Sequence, residues 1–155
     1  MHSTGGLPHG SEEDLGMVGS LMAAPKEAWT SRSSREAKPW GDTIVWHALQ
    51  SIHGKVITIH EGCRTSLKYH NIKTEVFFVL RGTVKVTYGN SKTLKNGEKH
   101  PFRTSILKPG DTFIVQSECP YRFEALEEAC LIEVGDRVDD TPTRIEDDYG
   151  RAKKE

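Results

Sequence analysis

Between Gly62 and Gly82 the chain gathers three side chains able to do chemistry: Lys68, His70 and Glu75. Lys68 and His70 are two residues apart, so on a β-strand they project from the same face. Glu75 follows across a short turn and opens a strongly apolar run, Val76–Leu80, in which Glu75, Phe77 and Val79 share a face. A hairpin joining the two segments would bring Lys68, His70 and Glu75 together inside a barrel. A histidine and a carboxylate converging in a pocket suit either a metal ion or an acid–base pair. His47, His53, His60 and His100 have no partner in this pattern and are expected at the surface or in structural roles. Val76–Leu80 is expected to be core.

These residues need a frame, and the sequence around them is β-rich. Short runs follow one another from Thr43: Thr43–Leu49, Lys55–His60, Val76–Leu80, Thr83–Tyr88, Ser105–Leu107, Thr112–Val115, Tyr121–Phe123 and Ala129–Val134. Turn residues such as Gly54, Gly82, Gly89-Asn90 and Pro109-Gly110 separate most of them. Many short strands at this rhythm predict an all-β antiparallel sandwich or barrel. In Thr83–Tyr88 the apolar Val84, Val86 and Tyr88 alternate with polar neighbours, as in a sheet with one dry face. Residues 1–37 are rich in Gly, Ser, Pro and charge and are expected to form a flexible, disordered leader. Within the leader, Ser11–Asp14 could cap a turn and Ala23–Trp29 could form a short helix. The closing stretch from Asp136 is polar again, anchored by Val138, Ile145 and Tyr149, and is expected as a short arm, a helix or a loose tail.

A chain of 155 residues is the size of one ordinary domain. Its formal net charge of −1 supplies no basic field, which argues against nucleic acid and anionic membranes as partners. No apolar run reaches the length of a membrane span, and the start of the chain has no secretory signal pattern. Three cysteines, Cys63, Cys119 and Cys130, fit neither a zinc ribbon nor a redox pair. An odd count suggests reduced thiols and a cytoplasmic setting.

The spacing around Lys68 resembles the first motif of the cupin family: Gly, five residues, His-x-His, three or four residues, Glu, six residues, Gly. Here Gly62, Lys68-Tyr69-His70, Glu75 and Gly82 keep every interval, with lysine in place of the first histidine. The second cupin motif falls after Pro109-Gly110-Asp111 and places Gln116 for its Pro, Glu118 for its Gly and Tyr121 for its His. Flanking segments resemble the C-terminal cupin domain of type II mannose-6-phosphate isomerases. These are Lys38-Pro39-Trp40-Gly41 with Val45-Trp46, Arg64-x-Ser66-Leu67-x-Tyr69-His70, Ile132-Glu133-Val134, and Arg144-Ile145-Glu146-Asp147-Asp148-Tyr149-Gly150-Arg151. The similarity runs over about residues 38–151, which it marks as the cupin domain, leaving a tail at 152–155.

The resemblance implies a double-stranded β-helix (a jelly-roll barrel), a homodimer, and an interior pocket for a small, sugar-like ligand. It also implies a divalent metal such as Zn, Fe, Mn or Ni, for which His70, Glu75 and Tyr121 are the candidate ligands. An ammonium at Lys68 would repel such an ion, and Tyr121 could bind it only as a phenolate. The same residues allow a metal-free alternative, with Lys68, His70, Glu75 and Tyr121 as the catalytic set for moving a proton between adjacent carbons. Arg64, Lys73, Arg103 and Arg144 are the candidate grips for a substrate phosphate. Three functions follow: a sugar-binding or sugar-isomerising cupin, a non-catalytic binding or regulatory cupin, and a metal-dependent dioxygenase or lyase.

Overall fold

A computed structural model of the chain describes residues 25–49, 51–136 and 139–152. They form eleven strands and one short helix: β1 (Ser34–Lys38), β2 (Gly41–Leu49), β3 (Ile52–Ile59), β4 (Leu67–Tyr69), β5 (Glu75–Arg81), β6 (Val84–Tyr88), α1 (Ser91–Lys95), β7 (Arg103–Leu107), β8 (Thr112–Val115), β9 (Tyr121–Ala125), β10 (Ala129–Gly135) and β11 (Thr143–Glu146). The strands pair antiparallel in two sheets, ordered β1-β2-β3-β10-β5-β8 and β11-β4-β9-β6-β7. Their inner faces close on one another as a jelly-roll barrel.

The pairing register stacks the inward side chains of the larger sheet in rungs. Residue pairs across β3, β10, β5 and β8 define one rung of His53, Gly135, Glu75 and Val115 and a second of Lys55, Glu133, Phe77 and Phe113. The next rungs are Ile57, Leu131 and Val79, then Ile59 and Ala129. Ionisable groups are thus confined to two rungs at one end, and the other end is dry. Val84, Val86, Phe123 and Ala125 of the smaller sheet close the dry end, each nearly inaccessible to solvent. An aromatic cluster divides the two halves: Phe77 meets Phe123 edge-on at 4.9 Å between centroids, and Phe113 and Tyr121 complete the group. Such tilted contacts add to the burial energy of the rings and fix their positions.

Several expectations change. The boundary expected at residue 37 falls inside β1, which pairs along its whole length with β2 from Ser34↔Val45 to Lys38↔Gly41. No helix occurs over residues 25–29; Ser11–Asp14, Ala23, Ala24 and Val138 lie outside the described residues. The closing arm contributes a strand, β11, rather than a helix. Val76–Leu80 is only half core, because Val76, Phe78 and Leu80 point outward and are exposed. Register puts Val76 beside Val134 and Ile114, so the outer face of the larger sheet is apolar. Among the described residues no helix is long and apolar enough to cross a membrane.

Candidate functional site

Lys68, His70 and Glu75 do converge, but not through a hairpin. β4 lies in the smaller sheet and β5 in the larger one, so Lys68 approaches Glu75 across the barrel. Register places Lys68 beside Tyr121 on one side and Arg144 on the other, so these three form a rung facing the polar rungs of the other sheet. His70 follows β4 directly; its Nε2 lies 3.3 Å from Glu75 Oε1 and its Nδ1 3.7 Å from Asp140 Oδ2. The Tyr121 hydroxyl donates a short hydrogen bond to Glu75 Oε2. Lys68 holds its ammonium over the Tyr121 ring, 5.6 Å from the centroid. The ammonium that pairs with Glu75 belongs instead to Lys73, at 3.5 Å from Oε1.

Two residues of the cluster had no chemical role in the sequence pattern. His53 is buried and its Nε2 lies 2.8 Å from Glu133 Oε1. At that distance a proton lies between the two atoms. Lys55 reaches the same oxygen at 3.4 Å. Gly135 makes room for the imidazole: a Cβ there would sit 2.3 Å from His53 Cε1. The signal was available in β3 and β10, where alternation turns His53 and Lys55, and then Glu133, toward the same side as Ile57 and Leu131. The side chain of His47 lies outside the described residues, while His60 is exposed beside Glu128.

Charge shapes the site. Burial alone would push the Glu75 carboxyl up, but His70, Lys68 and Tyr121 outweigh it and hold the group well below the usual carboxylate range. Tyr121 moves the other way: burial, then the neighbouring Glu75 and Glu133 charges, push its phenol well up, so it stays protonated and donates. Burial pushes the Lys68 ammonium down, against the pull of Glu75 and Glu133.

A cavity of about 230 Å³ opens on this end of the barrel. Lys55, Lys68, Tyr121, Glu133, Arg144 and Arg151 are among the residues lining it. His70 and Glu75 are buried and are not part of the lining. Arg144 offers a buried Nε with no hydrogen-bond partner among the described residues. The other candidate phosphate grips lie elsewhere. Arg64 is tied to Asp148 by two hydrogen bonds, 2.5 and 2.9 Å, and Arg103 packs over the Tyr88 ring at the far end of its sheet. Lys73 is inside the barrel, but its ammonium is taken up by Glu75 and lies outside the lining. Cys119 packs against the core, and burial pushes its thiol up, as suits an inert side chain.

No family model matches the sequence, and no curated protein is similar to it by sequence. Solved structures are similar in fold. KdgF from Halomonas sp. superposes with a TM-score of 0.56 at 15% identity, over 70% of this chain and 89% of that one. Oxalate decarboxylase from Lactobacillus farciminis, in a formate complex, gives 0.61 at 18% identity over 73% of this chain. Salicylate 1,2-dioxygenase from Pseudoaminobacter salicylatoxidans, with gentisate, gives 0.53 at 20% identity over 65% of this chain. The chain spans only 33% of that decarboxylase and 26% of that dioxygenase. The fold is a cupin barrel.

The second cupin motif finds physical support at Glu118. It takes the position of the motif's glycine, and it is the one non-glycine among the described residues with positive φ, 62°. A side chain is strained there. The turn persists because the Glu118 N–H donates to the His70 carbonyl at 2.6 Å, locking the end of β4 to the loop before β9.

The metal implied by a cupin fold meets a crowded interior. Ligand atoms of His53, Glu75 and Glu133 lie within 4.8 Å of one another, close enough to share an ion. The Lys73 ammonium stands beside that triangle, 3.4 Å from His53 Nε2 and 3.5 Å from Glu75 Oε1. An ion bound at the usual 2.1 Å or so from His53 Nε2 would lie no farther than about 5.5 Å from that ammonium. Repulsion between a divalent and a single charge at that separation is about 6 kcal/mol for an effective dielectric near 20. The proton shared by His53 Nε2 and Glu133 Oε1 would also have to leave before a metal could take both atoms. The set first expected, His70, Glu75 and Tyr121, is joined by hydrogen-bond contacts instead, with the Tyr121 phenol held protonated. With Lys55, Lys68 and Lys73 around Glu75 and Glu133, these residues do not fit a divalent ion.

Proposed function

We propose that this cupin binds an anionic, sugar-like small molecule in the barrel mouth and moves a proton on it, with a sugar phosphate as the first candidate. The observation that carries this reading is the cavity wall, where Arg144 and Lys68 share a rung and Lys55 and Arg151 join them. Four cationic side chains around one cavity favour an anionic oxygen, to which charge-assisted hydrogen bonds are strongest. The formate of the decarboxylase and the gentisate of the dioxygenase both carry carboxylates, which supports an anionic ligand here.

Glu133 is a buried carboxylate of the polar rungs that contributes to the cavity lining, and it serves as the base that takes a proton from the carbon next to a carbonyl. His53 holds it in place. Lys55 and Lys68 face the same space and would stabilise the enediolate that forms, before the proton returns to the neighbouring carbon. Tyr121 lines the cavity with the Lys68 ammonium over its ring, and Glu75, paired with His70, holds its hydroxyl in place. Two copies would join through the apolar outer face of the larger sheet, where Ile114 is 65% and Leu80 53% exposed. The unpaired thiols of Cys63, Cys119 and Cys130 support a cytoplasmic setting.

Calorimetry with mannose 6-phosphate, mannose and inorganic phosphate, followed by NMR detection of fructose 6-phosphate, tests the proposal. Saturable binding of the sugar phosphate, weakened at least tenfold in Arg144→Met, is expected. Binding without turnover would leave a binding or regulatory cupin. No binding of any of the three at millimolar concentration would overturn the ligand class.

A further inference from the structure

We propose that the Lys73 ammonium is the resident cation of this barrel, and that a latent divalent-metal site at His53, Glu75 and Glu133 opens when the amine is removed. These three residues come from β3, β5 and β10, adjacent strands of one sheet, so rigid pairing sets their spacing. All three are buried, and their ligand atoms already lie within 4.8 Å of one another. A histidine with two carboxylates is a set that divalent transition metals accept.

The cation that stands against both His53 and Glu75 is one side chain brought in by a loop. Lys73 lies between β4 and β5, yet only 5% of it is exposed. The loop is held from outside: Asp140 Oδ2 accepts the N–H groups of Ile72 and Lys73 at 2.8 and 2.9 Å, and Asp136 Oδ1 accepts that of Thr74 at 2.9 Å. These anchors aim the lysine inward and leave it little freedom to swing out to solvent. Its ammonium compensates Glu75 in the way a bound cation would, without open coordination positions. Substitution by methionine keeps the length and apolar stem while removing the charge. Nothing in this inference depends on what the cavity binds, since its readout is metal uptake.

Tag-free protein, stripped with chelator, would be titrated with cobalt(II) by visible absorption and with zinc(II) by calorimetry. The wild type, Lys73→Met, Lys73→Gln and the double variant Lys73→Met/His53→Ala would be compared, with near-UV circular dichroism confirming the fold of each. Either single variant should take up one equivalent at least 100-fold more tightly than the wild type, and the added His53→Ala should abolish the gain. One tight equivalent in the wild type, lost on His53→Ala, would overturn the proposal. So would a folded Lys73→Met or Lys73→Gln protein that binds no better than the wild type.

Discussion

Replacing Glu75 by glutamine should destabilise the barrel at neutral pH and flatten its response to acid. Glu75 is 1% exposed and holds together Tyr121, His70 and Lys73. The amide keeps the size of the side chain but leaves the lysines of the polar rungs facing Glu133 alone. Removing one partner of a buried charged set costs about 3–5 kcal/mol. The pH dependence follows from the direction of the shift. The folded-state carboxyl lies well below its ordinary value of 4.5, so the native chain binds fewer protons there than the unfolded chain. Its stabilisation is therefore complete above pH 4.5 and falls by about 1.4 kcal/mol per pH unit below it. Glu75→Gln lacks this group, so the stability gap should narrow by about 2 kcal/mol between pH 7 and pH 3. Urea unfolding of both proteins across that range, followed by tryptophan fluorescence, measures the gap. A gap under about 1 kcal/mol at pH 7, or one that stays constant down to pH 3, would refute the account of Glu75 as a buried, ionised hub.

Other outcomes follow from individual contacts. Tyr121→Phe retains the aromatic ring among Phe77, Phe113 and Phe123 but leaves Glu75 Oε2 without its donor. It should cost about 1.5–3 kcal/mol in urea unfolding, and a neutral result would show that the hydrogen bond contributes nothing net. Gly135→Ala drives a methyl group into the His53 ring and should cost about 1–3 kcal/mol; equal urea midpoints would show that the ring moves aside freely. Ile114→Lys puts a charge on the exposed apolar sheet face without touching the core. Light scattering should then show a dimer for the wild type and a monomer for the variant, and a monomeric wild type at 50 µM or so would reject the dimer.

Much of the frame was legible because it depends on local rules. Every strand expected from β-rich runs and turn residues occurs, with ends shifted by a few residues. Alternation in Val84–Tyr88 turned Val84 and Val86 inward as expected. β1 was missed because Ser-Arg-Glu-Ala-Lys carries no apolar alternation; its strand form comes from pairing with β2. Val76–Leu80 was misjudged as wholly buried because a continuous apolar run does not tell which face meets solvent. A chain with a second apolar contact surface and a chain with a two-sided core give the same pattern.

The site divides along the same line. By itself the sequence determined that Lys68, His70 and Glu75 belong to one constellation, because cupin spacing and strand period are local properties of the chain. The register of the second motif put Glu118 where that motif has glycine, and the structure adds that the left-handed conformation occurs there. The tertiary structure alone decided which groups meet Glu75. His53 and Glu133 are 80 residues apart and touch because β10 pairs between β3 and β5, a sheet order that no local pattern encodes. Lys73, expected to grip a phosphate, turns inward because Asp136 and Asp140 hold its loop from a distant segment. Interior charge balance is a sum over residues from several strands, so whether a lysine or a metal compensates Glu75 is settled only when those strands are assembled.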